Sequence, residues 1–206
     1  MTLSATRAAV NGEHGPLLLP TSLTAPDGTV TLVIGDPGPA SKALALVLGG
    51  RLPLSQGHVR WRGAGTPADL RRSVAIVDVP DISEPDPGLP IKVVLGEELA
   101  LAGLPSRAPD IEAFLDARGA GDRLKDRWDT LAPAQHVRWL AEIASQRPGV
   151  EAVVLASPDR WGGDPHDWLR VAEDLAATGL IVVVVCTSNS VRLLGSADYY
   201  EVGAVR

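Results

Sequence analysis

Short apolar runs alternate with longer amphipathic segments along most of the chain. The runs rich in β-branched residues or alternating in polarity predict strands at 29–34, 57–63, 73–80, 151–156 and 180–187. Apolar residues recurring at helical spacing predict helices at 40–48, 135–146 and 167–178. This alternation of strands and helices predicts an α/β protein with a mostly parallel sheet covered by helices.

The middle of the chain departs from this alternation. Residues 81–90 are rich in proline and acidic residues and are predicted to form a loop. From 91 to 131 the pattern is helical and carries no strand signal, with amphipathic pieces at 93–101 and 110–116. We therefore predict one domain over 1–206, with a core at 1–80 and 135–206 and a helical subdomain at about 81–134.

Composition narrows the class of protein. The 206 residues are 45% hydrophobic and 21% charged, which is typical of a globular domain. The formal net charge of −6 and the pI of about 5.2 argue against a nucleic-acid-binding surface. The lone cysteine, Cys186, lies in an apolar run, so we expect it to be buried and it cannot form an internal disulfide.

The sequence contains no candidate membrane segment. No stretch approaches the roughly 20 continuous apolar residues that a spanning helix needs, and the N-terminal residues lack the apolar run of a secretory signal. We expect a cytoplasmic protein. Any attachment to the inner face of the cell membrane is expected only through a partner.

Histidine and tryptophan positions suggest no catalytic or metal site. The histidines at 14, 58, 136 and 166 lack ligand-like spacing and are expected at the surface. The tryptophans at 61, 128, 139, 161 and 168 are expected to pack internally or to contact a partner.

An ordered series of motifs resembles the ATPases of ABC (ATP-binding cassette) transporters, from about Leu17 to the C-terminus. Gly35-Asp-Pro-Gly-Pro-Ala-Ser-Lys-Ala-Leu44 resembles the phosphate-binding loop of that family. Asp78-Val-Pro-Asp81 stands at its glutamine-containing loop, and Thr130-Leu-Ala-Pro-Ala-Gln135 at its LSGGQ-type signature. Glu151-Ala-Val-Val-Leu-Ala-Ser-Pro158 resembles the strand that ends in Asp-Glu-Pro, and Val185-Cys-Thr-Ser-Asn189 the strand end that carries the switch histidine.

The resemblance implies a P-loop NTPase-like fold with an antiparallel β segment and an inserted helical subdomain. It places a vestigial nucleotide site at Gly35, Gly38, Ser41, Lys42, Ala43 and Asp81. It places contacts to a partner cassette at Leu131, Ala132, Pro133, Ala134, Gln135 and Asp164.

The phosphate-binding loop departs from the family's G-x-x-x-x-G-K-[ST] pattern. Ala40 replaces the second glycine, Ser41 the lysine and Lys42 the hydroxyl residue. Pro37 and Pro39 remove two backbone N–H donors from the same loop.

The positions that resemble catalytic ones have also changed. Ala156 stands where a carboxylate would hold the Mg²⁺ shell, Ser157 where a general base would orient water, and Ser188 where the histidine would contact the γ-phosphate. Asp81 replaces the glutamine that contacts metal and water. The resemblance therefore implies that the catalytic positions are altered at Ala156, Ser157 and Ser188. We predict no catalytic residue and no metal ligand.

Three functions remain open at this point. The first is a cassette-like subunit with weak or no ATP binding and hydrolysis, paired with an identical or different cassette, with a membrane transporter subunit, or with both. The second is a working ATPase that binds ATP and Mg²⁺ and uses Lys42 and Asp81 as substitutes. The third is a stand-alone scaffold or regulatory protein on the same fold.

Overall fold

The first 61 residues contribute all three strands of an antiparallel sheet. A computed structural model describes residues 1–63 and 65–205. Its antiparallel sheet has the strand order β2-β1-β4. The strands are β1 (Thr2–Gly12), β2 (Gly15–Pro26) and β4 (Gln56–Trp61). β1 and β2 were not among the predicted strands, because small and polar residues interrupt their apolar pattern.

A five-stranded parallel sheet forms the centre of the protein, in the order β5-β6-β7-β3-β8. Its strands are β3 (Val30–Ile34), β5 (Val74–Val77), β6 (Ala152–Ala156), β7 (Ile181–Cys186) and β8 (Tyr200–Glu201). Every residue of β6 and β7 is buried, as expected for strands covered on both faces. Cys186 is fully buried, as predicted.

The described residues form seven α-helices around the sheets. They are α1 (Pro39–Leu48), α2 (Pro67–Ser73), α3 (Ile91–Leu101), α4 (Ala108–Asp116), α5 (Pro133–Ser145), α6 (Pro165–Ala177) and α7 (Ser188–Leu194). Five of them carry proline in the first turn, where the missing N–H has no helical partner to lose. The short helices α2 and α7 were not predicted.

The two faces of the parallel sheet border separate hydrophobic cores. Alternate residues of β7 point to opposite sides, so Val182 and Val184 join one core while Val183 and Val185 join the other. The first core contains α3, α4, α5 and α6, and the second contains α1 and the antiparallel sheet.

The predicted α/β fold is confirmed, including the helical insertion. Helices α3 and α4 lie between β5 and β6 in the chain, with 3₁₀ turns at Gly121–Arg123 and Trp128–Thr130. The fully buried Trp128 lies in the core of this insertion. The division of the chain at 81 and 134 stays a prediction. Across the described residues, no helix is both long and apolar enough to cross a bilayer.

Strand β5 is shorter than the predicted strand 73–80, and the backbone gives the reason. Asp78 and Asp81 both adopt left-handed conformations with φ of 60°. Non-glycine residues take this conformation rarely, and it turns the chain out of the extended path. The turn brings the loop after β5 to the carboxyl edge of the sheet.

Candidate functional site

The loops that follow β3, β5, β6 and β7 meet at the carboxyl edge of the parallel sheet. They surround a cleft of about 600 Å³. Its walls include Gly38, Ser41, Lys42, Asp81, Ser157, Asp159, Arg160, Thr187 and Asn189. In open parallel sheets this edge is where ligands bind, so the cleft is the candidate site.

The loop that precedes α1 is closed by contacts within the chain. The Gly35 N–H donates to the Cys186 carbonyl over 2.9 Å. Ser41 is buried, and its Oγ donates to the Asp36 carbonyl over 2.7 Å. A Cβ on Gly35 would lie 2.6 Å from Ser41 Oγ, so only glycine allows this approach. The Ser41 hydroxyl is therefore turned into the loop.

Lys42 and Asp81 bind each other across the cleft. The Lys42 ammonium donates to the Asp81 carboxylate. That hydrogen bond, followed by the lysine charge, lowers the pKa of Asp81. Gly38 ends the loop as the N-cap of α1, and Ala43 is buried in the core behind it. The two predicted substitute groups thus form an ion pair with one another.

The end of β6 presents a methyl group and a hydroxyl. Ala156 is the last residue of β6, and Ser157 follows in a left-handed conformation with φ of 51°. The Ser157 N–H donates to the Val185 carbonyl over 2.8 Å. Among the described residues, no side-chain hydrogen bond connects Ser157 to a base. The geometry therefore offers no activation of this serine.

A guanidinium group joins the carboxyl ends of β5 and β6. Arg160 Nη1 donates to the carbonyls of Asp78 (2.8 Å) and Ala156 (3.3 Å). Its Nη2 binds the Asp78 carboxylate and lies 3.2 Å from Glu84 Oε2. Sequence reasoning missed Arg160, although it lies four residues beyond the end of a buried strand.

Asp159 organises the turn after β7. One of its oxygens, Oδ2, accepts hydrogen bonds from Thr187 N (2.8 Å), Thr187 Oγ1 (2.7 Å) and Ser190 Oγ (2.7 Å). Ser188, expected at a strand end, is instead the exposed first residue of α7. Sequence reasoning did not single out Asp159.

The predicted partner-contact residues lie in two neighbouring segments. Segment 131–135 contains buried Leu131, exposed Ala132 and the partly buried Pro133, Ala134 and Gln135. A Cβ on Gly163, next to Asp164, would lie 3.2 Å from Pro133.

The polar residues of both segments already have partners inside the chain. Gln135 Oε1 accepts from the Ala132 N–H over 3.2 Å. Asp164 Oδ1 accepts from the His166 N–H over 2.9 Å and contacts His166 Nδ1 at 2.8 Å.

The expectation that His136 lies at the surface is wrong. Its side chain is buried, because its ring stacks on Trp161 at 4.4 Å and 21° and meets the edge of Trp128 at 5.0 Å. Burial lowers the pKa of His136, so the neutral ring is favoured.

Across residues 1–63 and 65–205, no group of three or more His, Cys, Asp or Glu side chains is placed to hold a metal ion. In the cleft, the charged groups Lys42, Arg160, Asp81 and Asp159 are each engaged by other side chains or backbone groups.

Comparison with solved structures identifies the architecture. A putative ABC transporter ATP-binding protein from Pyrococcus furiosus matches with a TM-score of 0.66 and 17% identity, covering 91% of this chain and 92% of that one. A nucleotide-free ATP-binding cassette from an ABC transporter matches with a TM-score of 0.68 and 19% identity, over 99% and 90% of the two chains. This chain has the fold of an ATP-binding cassette.

A third cassette of similar fold is cbiO1 from Clostridium perfringens, described as part of the ABC transporter complex cbiONQ. It has a TM-score of 0.62 and 17% identity, over 90% of this chain and 77% of that one. No protein-family model matches the sequence, and no curated protein matches it either. The cassette likeness is therefore carried by the fold.

Proposed function

We propose that the chain is an ABC-transporter cassette-like subunit that binds and hydrolyses ATP weakly or not at all. It acts as a structural or regulatory partner of another cassette, of a membrane subunit, or of both. One observation carries the proposal: the polar side chains at the nucleotide-binding positions are replaced, or are bonded to groups of the same chain.

The phosphate side of the cleft illustrates this point. A phosphate would have to compete with Asp81 for Lys42 and with the Asp36 carbonyl for Ser41. The two prolines of the loop supply no N–H. A charge-assisted hydrogen bond contributes about 1.5–3 kcal/mol and a neutral one about 1 kcal/mol. Losing several of them weakens phosphate binding by several orders of magnitude.

The metal side of the cleft supports the same proposal. Ala156 and Ser157 supply no carboxylate at the end of β6. The Arg160 guanidinium already neutralises Asp78 there and lies beside Glu84. A second cation beside this guanidinium would be repelled. We infer that these residues do not fit a magnesium nucleotide.

A partner role also fits the two segments at 131–135 and 163–164. The N-cap of α5 is Ala132, its first residue is Pro133, and the Ala132 N–H donates to Gln135 Oε1 of the same helix. Because proline has no N–H and the Ala132 N–H is already bonded, this N-terminus offers fewer free N–H groups to a nucleotide held by a partner. The segments remain available for apolar contacts to a second subunit.

Titration calorimetry with MgATP on the wild type, Lys42→Ala and Lys92→Ala tests the proposal. Lys92 is an exposed lysine on α3 and serves as the control for loss of a positive charge. We expect no saturable heat at up to millimolar ATP for any of the three proteins. Micromolar binding that is lost in Lys42→Ala and kept in Lys92→Ala would instead establish the working ATPase with a substitute lysine.

A further inference from the structure

One cluster of contacting side chains, buried at Asp78 and His136, connects the parallel sheet to the helical insertion. It contains Asp78 at the end of β5, Glu84 in the loop that leads to α3, Arg160 and Trp161 in the turn after β6, and His136 in the first turn of α5. We call these five residues the Arg160 clamp. Its members come from four separate parts of the chain.

The polar half of the clamp satisfies a buried carboxylate. Asp78 is only 6% exposed, and each of its carboxylate oxygens has a donor. Arg160 binds Oδ1, and Trp161 Nε1 donates to Oδ2 over 2.8 Å. Burying a charge is costly unless it is paired and hydrogen-bonded. The positions of Asp78 and of the turn after β6 therefore depend on each other.

Arg160 extends this pairing into the loop that enters the insertion. Its guanidinium lies 3.2 Å from Glu84 as well as on Asp78. It also lies over the Trp161 ring, 4.7 Å from the ring centre. One side chain thus restrains the end of β5, the entering loop and the neighbouring indole.

The aromatic half of the clamp reaches the centre of the insertion. Trp161 stacks on His136, and His136 packs against the fully buried Trp128. Trp128 in turn lies 6.3 Å from Trp139 of α5, between ring centres. A continuous set of packed groups therefore runs from the carboxyl edge of the sheet into the core of the insertion.

We infer that the Arg160 clamp holds the helical insertion in one position against the sheet without any bound ligand. This inference deepens the proposed function and rests on it. If the subunit does not respond to ATP, the clamp gives it one fixed shape that a partner can bind. The clamp itself is built from protein groups alone, so it can be tested without ATP.

Hydrogen–deuterium exchange on the full chain, without nucleotide, tests this inference. In Arg160→Met we expect backbone amides in 79–90 and 128–137 to exchange at least tenfold faster than in the wild type. Amides of β7 should keep their wild-type rates, because β7 lies outside the clamp. Arg138→Met is the matched control, because Arg138 of α5 forms ion pairs with Glu142 of α5 and Asp174 of α6, outside the clamp. We expect its rates to stay within twofold of wild type.

Arg160→Met leaves the buried Asp78 carboxylate without its cation, which could unfold the protein. A second variant therefore avoids this unpaired charge. The double variant Asp78→Asn, Arg160→Met removes both charges, and we expect the same two segments to exchange faster. Rates within twofold of wild type in the folded variants would overturn the inference. Equal acceleration in β7 would overturn it too, because it would show general destabilisation. ATP binding in the calorimetry would refute the proposed function and leave this exchange result unchanged.

Discussion

At the scale of single residues, the carboxyl edge of the sheet is held together by charged side chains that bind groups of the same chain. Lys42 binds Asp81, Arg160 binds Asp78, and Asp159 accepts three hydrogen bonds from the start of α7. A ligand in the cleft would have to compete with these internal partners for each side chain. The cleft is consequently lined by charged groups that each already bind another group of the same chain.

Asp159→Ala tests this structural role. We expect the free energy of unfolding to fall by about 2–4 kcal/mol, because three donors lose a charged acceptor and the first turn of α7 is loosened. Asp174→Ala is the control, since Asp174 forms an exposed ion pair with Arg138 and should cost less than about 1 kcal/mol. Urea unfolding measures both changes. Equal costs for the two variants would contradict the role assigned to Asp159.

At the scale of elements, strand β1 bulges where it passes between its two partners. Its register shifts between Ala5 and Ala8 against β2, and between Thr6 and Ala9 against β4. Arg7 lies in the bulge with φ of 47°. A bulge bends a strand and increases its twist. Gly57 of β4 packs directly against the backbone of this bulge.

Gly57→Ala should therefore destabilise the antiparallel sheet strongly. Gly57 has φ of 78°, and an added Cβ would lie 2.2 Å from the Arg7 carbonyl oxygen. Gly63→Ala is the matched control, since its φ is 76° but nothing lies within 4 Å of an added Cβ. We expect a cost of about 1 kcal/mol for Gly63→Ala from backbone strain alone, and roughly 2 kcal/mol or more beyond that for Gly57→Ala. Urea unfolding measures both changes. If both variants lost the same free energy of unfolding, the backbone of β1 would have shifted to accommodate the added methyl group.

At the scale of the whole molecule, a groove of about 850 Å³ separates the edge strand β5 from the helical insertion. Glu98 of α3 lines this groove. Burial, followed by the charges of Asp78 and Glu97, raises the pKa of Glu98 to about 7. The charged form of Glu98 is therefore disfavoured by the way the two parts of the molecule come together.

Stability should depend on pH through Glu98. The pKa of Glu98 is higher in the folded state than in the unfolded state. Its favourable contribution to the free energy of unfolding is therefore complete below about pH 4.5 and is lost as the pH rises to about 7. We expect Glu98→Gln to stabilise the protein by about 1–2 kcal/mol at pH 8 and to change little at pH 4.5. The full rise in the pKa of Glu98 corresponds to about 3 kcal/mol of stability, and the partial exposure of this side chain to water reduces that amount.

Thermal unfolding between pH 4.5 and 8 measures this effect. Glu173→Gln, at an exposed position on α6, is the control and should give no gain at pH 8. A gain for Glu98→Gln that did not change with pH would contradict titration of Glu98 as the cause.

Most strands of the central sheet could be predicted from the sequence because their hydrophobic pattern is a local property of the chain. The apolar runs that became β6 and β7 stand out without any knowledge of their neighbours, and helices α1, α5 and α6 begin within two residues of their predicted starts. Strands β1 and β2 carry no such signal, since their burial comes from pairing with each other and packing on α1.

The sequence by itself determined which chemical groups are present at each motif position: prolines in the loop before α1, and Ala156 and Ser157 after a buried strand. It also determined the order of strands β3 to β7 and of helices α1, α3, α4, α5 and α6, since hydrophobic periodicity is a property of neighbouring residues. Only the tertiary structure decided what each group contacts. The pairing of Lys42 with Asp81, the burial of His136 and the Arg160 clamp join residues distant in the chain, and such contacts arise from folding in three dimensions.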